Sequence, residues 1–195
     1  MILISHRANT ISQLINLNKE YGVEIDIRDD GKNLIIVHDP FKKGIKLSAY
    51  LKNFNHAFII ANIKSERIEE KVAKVFKKFK ITNYFFLDSS FPQIVNLIKK
   101  KYSKIAIRVS FYENIETAQK LKGKVKWIWY DTFFKLNKNL NDFKTLKSWG
   151  YKICLVSPEL HKISLKKELN IIKKLKKNKL IDAVCTKKKY FPNWI

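Results

Sequence analysis

The chain has 195 residues, of which 46% are hydrophobic, and its formal net charge is +23 at pH 7. This length supports one sizeable hydrophobic core and leaves little room for another, so we expect a single domain over residues 1–195. No apolar run approaches the roughly 20 residues that a membrane helix needs. The first residues also lack the basic segment of a signal peptide, and we therefore expect a cytoplasmic protein.

The positive charge is carried mostly by lysine. Lysine and arginine together number 40 against 17 acidic residues, and arginine occurs only at positions 7, 28, 67 and 108. Many of the lysines cluster on predicted helices, where a solvated helix face or a compositional bias explains them. The excess charge would still attract an anionic partner. Nucleic acid, a membrane surface and a phosphate-bearing substrate all remain open on this ground.

Short apolar runs alternate with amphipathic stretches along the chain. Strands are predicted at residues 2–5, 23–27, 57–63, 84–87, 105–109, 125–129, 152–156 and 181–185. Helices are predicted at residues 10–21, 67–79, 92–102, 115–121, 141–149 and 165–177. Gly22, Gly123 and Gly150 fall where a predicted helix ends and the next predicted strand begins. Residues 34–37 follow the turn Asp30-Gly31 and should extend the second strand as a hairpin.

Eight strands that alternate with helices favour an α/β fold with a parallel sheet, and the count of eight favours a small closed (β/α)8 TIM-type barrel. An open doubly wound sheet is the alternative. A glycine-rich phosphate loop does not follow the first strand, which argues against a dinucleotide or nucleoside triphosphate fold. Cys154 and Cys185 lie in apolar runs without ligand-like spacing, so we expect buried, reduced thiols.

The second strand carries two carboxylates, Glu24 and Asp26, at positions that share one face. Like charges held this close repel each other, and a divalent cation between them would relieve the repulsion. An ordinary strand with a wet outer face would show the same alternation. Histidines at the ends of two flanking apolar runs, His6 and His38, favour the functional interpretation because imidazole suits proton transfer near neutral pH.

The other predicted strands also end in polar or charged residues. In a barrel of this type the active site lies at the carboxyl ends of the strands. The further polar residues there are Arg7, Asn62, Lys64, Asp88, Arg108, Asp131, Glu159, His161, Thr186 and Lys187. Acidic residues for a metal, basic residues for an anion and histidines for proton transfer are together typical of a phosphoryl-transfer site.

The motifs His6-Arg7, Glu24-Ile25-Asp26 and His38-Asp39 resemble, in order and spacing, the opening motifs of the glycerophosphodiester phosphodiesterase family. This resemblance implies a barrel of the PLC-like phosphodiesterase type and a phosphoric diester hydrolase. The family's third-strand Glu-x-Lys stands here as Asn62-Ile63-Lys64, so a neutral amide replaces a metal-binding carboxylate.

Later segments are similar to a short branch of this family that is associated with bacterial surface-glycan biosynthesis. They cover residues 86–90, 108–113, 129–133 and 156–161. The segment between His38 and the third predicted strand is short, and the insertion that helps many members of the family to enclose glycerol is missing there. The resemblance thus implies a more open site, with a glycan or sugar phosphate as a possible substrate besides a phosphodiester of glycerol.

The resemblance and the residues together give one leading hypothesis, a metal-dependent phosphodiesterase. The predicted catalytic residues are His6 and His38, and the predicted phosphate-binding residues are Arg7, Lys64 and Arg108. One Mg²⁺ or Ca²⁺ ion is predicted to bind to Glu24, Asp26, Asn62 and Asp131. A possible additional site consists of Glu159 and His161. A catalytically weak barrel protein that binds a phosphorylated ligand is the alternative. A nucleic-acid-binding protein is disfavoured, because no aromatic and basic interleaving resembles a known recognition module.

Overall fold

Eight parallel strands form the centre of the computed structural model, which describes residues 1–133, 136 and 140–195. They are β1 (Ile2–Ser5), β2 (Gly22–Asp29), β5 (Phe58–Ile63), β6 (Tyr84–Leu87), β7 (Ala106–Val109), β8 (Trp127–Tyr130), β9 (Lys152–Val156) and β10 (Ala183–Thr186). Neighbours in this order form parallel ladders, with the exception of β6 and β7, and β10 pairs with β1. This is the TIM-barrel-like α/β fold that the sequence predicts.

One junction in this arrangement is weak. Strands β6 and β7 are joined by a single parallel bridge, from Phe86 to Ile105, supported by a 2.9 Å hydrogen bond from the Phe86 N–H to the Lys104 carbonyl. The ladder does not continue beyond this bridge, although every residue concerned is described. The two strands therefore separate toward their carboxyl ends.

Helices cover the outside of the strands. They are α1 (Ile11–Ile15), α2 (Leu47–Leu51), α3 (Glu69–Lys78), α4 (Phe91–Lys99), α5 (Ile115–Lys120), α6 (Asn141–Ser148) and α7 (Leu165–Lys177), with 3₁₀ helices at Pro158–His161 and Lys188–Asn193. Their apolar residues pack on the outward faces of the strands, as Phe76 and Leu175 do. None of the helices in the described part of the chain is long and apolar enough to cross a membrane.

The interior of the strand ring is filled mainly by large apolar side chains, among them Phe58, Phe85, Trp127 and Trp129. Phe58 and Phe85 lie with their ring centroids 5.3 and 4.9 Å from Trp127. Burial of such rings contributes strongly to stability because each removes a large apolar area from water. These apolar side chains fill the interior below the polar residues at the strand ends.

Most predicted elements are confirmed within two or three residues, and the differences have local causes. Residues 34–37 were expected to form a hairpin with the second strand, and β3 (Leu34–Ile36) does pair antiparallel with β2. A further short strand, β4 (Ile45–Lys46), pairs with β3 and was not predicted. Helix α1 ends well before residue 21, because the Asn18 side chain accepts a 3.0 Å hydrogen bond from the Glu20 N–H and stabilises a turn.

The three glycines predicted to lie between a helix and the next strand, Gly22, Gly123 and Gly150, differ in their roles. Gly123 and Gly150 have φ values of +75° and +87°, as a helix C-terminus requires. Gly22 was expected to act in the same way and does not: it is the first residue of β2. A Cβ atom there would lie 3.0 Å from Ile4 Cγ1 and 3.1 Å from the Phe58 carbonyl oxygen. Gly22 therefore lets β1, β2 and β5 approach closely.

We expect Gly22→Ala to lower the free energy of unfolding by about 1–3 kcal/mol, the usual cost of overpacking a tight interior. Chemical denaturation at neutral pH measures this. Gly31→Asn is the control, because its site has open space and asparagine tolerates a positive φ. A loss no larger than that of the control would contradict this role of Gly22.

Candidate active site

Glu24 and Asp26 lie two residues apart within β2, with both side chains on the inward face of the strand ring. Both are almost completely buried, with 1% and 0% of their surface exposed. Burial and the neighbouring charge of Asp26 raise the pKa of Glu24 to about 7, since each makes the ionised form less favourable. In the absence of a bound cation, the pair therefore resists carrying two negative charges at neutral pH.

Short polar contacts hold this pair in place. Glu24 accepts hydrogen bonds from the Arg7 backbone N–H at 2.6 Å and from Asn62 Nδ2 at 2.8 Å. Asn9 binds Asp26 twice, donating from Nδ2 to Asp26 Oδ2 at 2.8 Å and accepting from the Asp26 N–H at 3.0 Å. Asn9 follows the first strand by only a few residues. Its role was missed because a lone asparagine in a loop carries no distinguishing sequence signal.

Arg7 adopts a left-handed backbone conformation, with φ +51°. This conformation is costly for a residue with a side chain, so it persists only where the surrounding contacts hold it. Here it directs the backbone N–H to Glu24 while the guanidinium lies 4.0 Å from Asp26 Oδ2. A single residue thus contacts both buried carboxylates.

The two predicted catalytic histidines lie on either side of Arg7. His6 Nε2 is 4.0 Å from Glu24 Oε2, and His38 Nε2 is 2.7 Å from an Arg7 guanidinium nitrogen. A guanidinium has only donors, so His38 Nε2 accepts this bond and is unprotonated. Its Nδ1–H then donates to the Asp39 carboxylate at 2.7 Å. These contacts assign His38 one neutral tautomer.

His6 differs from His38 in its surroundings. Burial lowers the pKa of His6 to about 4, with a further contribution from the charge of Arg7. Its imidazole is therefore neutral at pH 7, the form that can accept a proton.

Charges of alternating sign continue from Asp26 along the strand ends. Lys64 Nζ lies 3.8 Å from Asp26 Oδ1 and 3.0 Å from Asp88 Oδ2. Arg108 then pairs with both Asp88 and Asp131, and Asp131 accepts a 2.6 Å bond from His161 Nε2. The cationic and acidic residues predicted at separate strand ends thus form one connected row.

The predicted site residues divide into those that lie beside Glu24 and Asp26 and those that lie farther along the charged row. His6, Arg7, Lys64 and Asn62 do, whereas Asp131 is engaged by Arg108 and His161. Arg108 lies near three carboxylates, because its Nε is also 3.8 Å from Glu113. Asp88 was recognised as a polar strand end, and its linking position between Lys64 and Arg108 appears only in three dimensions.

Glu159 is separated from this row by its own contacts. Its buried carboxylate accepts hydrogen bonds from the Ser157 hydroxyl, from the Thr186 hydroxyl at 2.5 Å and from the Lys187 N–H at 3.2 Å. These donors join the end of β9 to the end of β10. The geometry fits a structural role, and of the predicted additional site only His161 contacts the charged row.

Two buried oxygens bear on whether this site fits a divalent metal ion. Asp26 Oδ1 and Asn62 Oδ1 are buried and have no hydrogen-bond partner. Such atoms are costly without a donor or cation, and hard cations take carboxylate and amide oxygens. Among the described residues, no group of three or more His, Cys, Asp and Glu side chains is arranged to hold a metal. The donor set fits an ion only if the Asn62 amide oxygen joins Glu24 and Asp26.

Comparison with solved structures identifies the class of fold. A glycerophosphodiester phosphodiesterase from Agrobacterium tumefaciens str. C58 superposes with a TM-score of 0.67 over 95% of this chain and 96% of that chain, at 12% sequence identity. A glycerophosphoryl diester phosphodiesterase from Parabacteroides distasonis ATCC 8503 gives a TM-score of 0.66 over 94% of this chain and 81% of that chain, at 10% identity. No protein-family model and no curated protein sequence matches.

These two likenesses cover almost the whole chain, and at such low identity they establish the fold. The family resemblance predicted from the motifs at His6, Glu24 and His38 is confirmed at this level. The chain therefore has the barrel-like fold of glycerophosphodiester phosphodiesterases.

The lowered pKa of His6 gives a prediction for stability against pH. The folded protein favours the neutral imidazole of His6, whereas the unfolded chain takes up a proton there near the ordinary pKa of 6.5. The corresponding stability is therefore fully present above pH 6.5 and is lost as the pH falls through about 4. We expect wild-type protein to lose more stability than His6→Asn between pH 7.5 and 4.5. Urea unfolding at both pH values measures the difference, and equal losses would contradict it.

Proposed function

We propose that this protein is a metal-dependent phosphodiesterase that hydrolyses a phosphodiester of glycerol or of a glycan or sugar phosphate. The observation that carries this proposal is the neutral His6 beside two buried carboxylates, with His38 across Arg7. The fold shared with glycerophosphodiester phosphodiesterases supports the choice of chemistry. Enzymes with this type of barrel have their sites at the same carboxyl ends of the strands.

His6 acts as the general base in this proposal. Its neutral imidazole takes the proton from the attacking hydroxyl, which belongs either to water or to a neighbouring carbon of the substrate. The new P–O bond forms as that proton leaves. Glu24, about 4.0 Å from His6 Nε2, then stabilises the imidazolium through its negative charge.

His38 acts as the general acid, and Arg7 controls whether His38 Nε2 can carry a proton. While Arg7 donates to His38 Nε2, that nitrogen cannot carry a proton. A bound phosphate attracts the guanidinium, because Arg binds phosphate oxygens in a bidentate manner. The released Nε2 is then protonated, with Asp39 on Nδ1 stabilising the imidazolium. His38 delivers this proton to the departing oxygen as the old P–O bond breaks.

The metal ligands proposed are Glu24, Asp26 and Asn62. A bound Mg²⁺ or Ca²⁺ would polarise a phosphoryl oxygen and neutralise the developing charge. We give Asp131 the role of orienting Arg108 and His161, because both contact its carboxylate. Lys64 and Arg7 are the cationic residues that lie within 4.0 Å of Asp26, and they are the proposed first contacts of the phosphate. Arg108 can join them once it exchanges a carboxylate for the substrate.

A binding protein without turnover is the second candidate, and one contact favours it. Asn62 donates its amide hydrogen to Glu24 at 2.8 Å, whereas the corresponding residue of the family motif is a third carboxylate. Incubating the purified protein with a panel of phosphodiesters, with and without Mg²⁺ or Ca²⁺, separates the two candidates. Metal-dependent release of a monoester supports the enzyme, and saturable binding without turnover supports the second candidate.

We expect His6→Ala and His38→Ala each to lower kcat by about 10²- to 10⁴-fold, the usual contribution of a positioned acid or base. The matched control is His56→Gln, a buried histidine whose Nε2 contacts the Leu17 carbonyl. We expect the wild-type kcat to fall at acidic pH as His6 becomes protonated, and we expect His6→Ala to lose this acidic limb. Near wild-type kcat in either variant would remove that histidine from the mechanism.

Asn62→Asp and Asn62→Glu test the metal ligands. A third carboxylate should tighten Mg²⁺ binding in at least one of the two variants, whereas Asp131→Asn should leave the affinity unchanged. Isothermal titration calorimetry measures both. Affinity should also rise with pH up to about 7, by about tenfold per pH unit while Glu24 must lose a proton to bind. A loss of affinity confined to Asp131→Asn would overturn this assignment.

A further inference from the structure

Arg28 is a charged residue of β2 to which the proposed chemistry assigns no role. It follows Glu24 and Asp26 on the same face of the strand, because side chains alternate along a strand. It lies closer to the carboxyl end of β2 than these two residues, and its guanidinium is only partly buried. This guanidinium binds main-chain carbonyl oxygens.

The Arg28 guanidinium joins two segments that lie on either side of β2. Its Nε and Nη2 donate to the His38 carbonyl at 3.0 and 2.8 Å, and its Nη1 donates to the Lys64 carbonyl at 2.7 Å. His38 follows β3 and Lys64 follows β5, and Ile27 pairs with both of these strands, one on each edge of β2. The planar guanidinium has its donors in a fixed fork and can reach both carbonyls at once.

His38 depends on such contacts because it is poorly enclosed. Its side chain is 39% exposed, and its ring contacts the Arg7 guanidinium and the Asp39 carboxylate. A ring in this setting keeps its position only while its own main chain is fixed. The two hydrogen bonds from Arg28 fix the main chain at the His38 carbonyl.

We propose that Arg28 is a positioning residue that holds the general acid His38 and the phosphate-binding residue Lys64 in a fixed arrangement across β2. This inference rests on the proposed function for its effect on turnover, whereas its effect on His38 can be measured without turnover. The arrangement matters because misplacing a reacting group by about 1 Å can lower a rate by about 10²-fold.

The first experiment is a double-mutant cycle. We expect Arg28→Ala to lower kcat by about 10²-fold, and by less than about threefold in a His38→Ala background, where no general acid remains to be positioned. A rise in KM, which we expect from the loss of the Lys64 contact, should persist in both backgrounds. The control is Arg67→Ala, the same change at an exposed arginine, and it should keep the wild-type kcat. An equal loss of kcat in both backgrounds overturns the positioning role.

Chemical rescue tests the two-carbonyl contact directly. A cavity of about 700 Å³ opens onto Arg28, and its other charged lining residues, Asp29, Asp30, Lys42 and Lys43, have no net charge that would repel a small cation. Ethylguanidinium has the atoms that Arg28→Ala removes, and it should raise the kcat of this variant by about tenfold, part of the 10²-fold loss. Ethylammonium should not, because one ammonium group lacks the fork. Equal effects of the two ions overturn the assignment.

The tautomer of His38 separates this inference from the proposed function. At pH 8, ¹⁵N NMR of the wild-type imidazole should show an unprotonated Nε2 and a protonated Nδ1. We expect Arg28→Ala to mix the two neutral tautomers and Arg67→Ala to keep the wild-type signals. If Arg28→Ala does not fold, Arg28→Lys, which keeps the charge and the aliphatic stem, serves in the same comparisons.

Mixed tautomers in the Arg28 variant, without turnover of any diester by the wild type, support the positioning role and overturn the enzyme. A His38 tautomer that is unchanged in the Arg28 variant overturns this inference, and wild-type turnover in that case leaves the phosphodiesterase intact.

Discussion

Burial of Glu24 and Asp26 beside each other is the constraint on which the candidate site depends. Two carboxylates with almost no exposed surface are unfavourable together, and the raised pKa of Glu24 expresses that cost. The surrounding chain supplies donors from several directions: the Arg7 N–H, the Asn62 amide and the Asn9 amide. These contacts leave Asp26 Oδ1 and Asn62 Oδ1 without a hydrogen bond, and Asp26 Oδ1 has only Lys64 Nζ at 3.8 Å, so a cation bound there would relieve the remaining cost.

The same constraint explains the alternating row of charges. Arg7 and Lys64 approach Asp26, and the excess positive charge of Lys64 and Arg108 is balanced by Asp88 and Asp131. Buried or half-buried charges are tolerated where each has a partner. A row of this kind can exchange one partner for an incoming phosphate without leaving a charge alone, which suits a site for anionic substrates.

The incomplete ladder between β6 and β7 has two consequences. It separates the strand ends that carry Asp88 and Arg108, so their side chains meet across a gap, and it opens an apolar cavity between α4 and α5. Backbone pairing would otherwise bring the two strands to the usual spacing of about 4.8 Å and close this recess. The irregular junction thus adjoins the end of the molecule where the chemistry is proposed.

The sequence alone determined the alternation of strands and helices, because hydrophobic periodicity is a local property. It also determined which face of β2 carries Glu24 and Asp26, since side chains alternate along a strand. His6 and Lys64 could be placed near that pair from their positions at strand ends, and His38 lies beside Arg7.

Only the tertiary structure decided how these side chains pair. Contacts such as Asn9 to Asp26, Asp131 to His161 and Glu159 to Thr186 join residues 17 to 30 positions apart in the chain. No local pattern records them, because several donors and acceptors meet at the strand ends and the packing of the barrel selects among them. The role of Gly22 was hidden for the same reason, since the atoms that exclude a side chain there belong to β1 and β5.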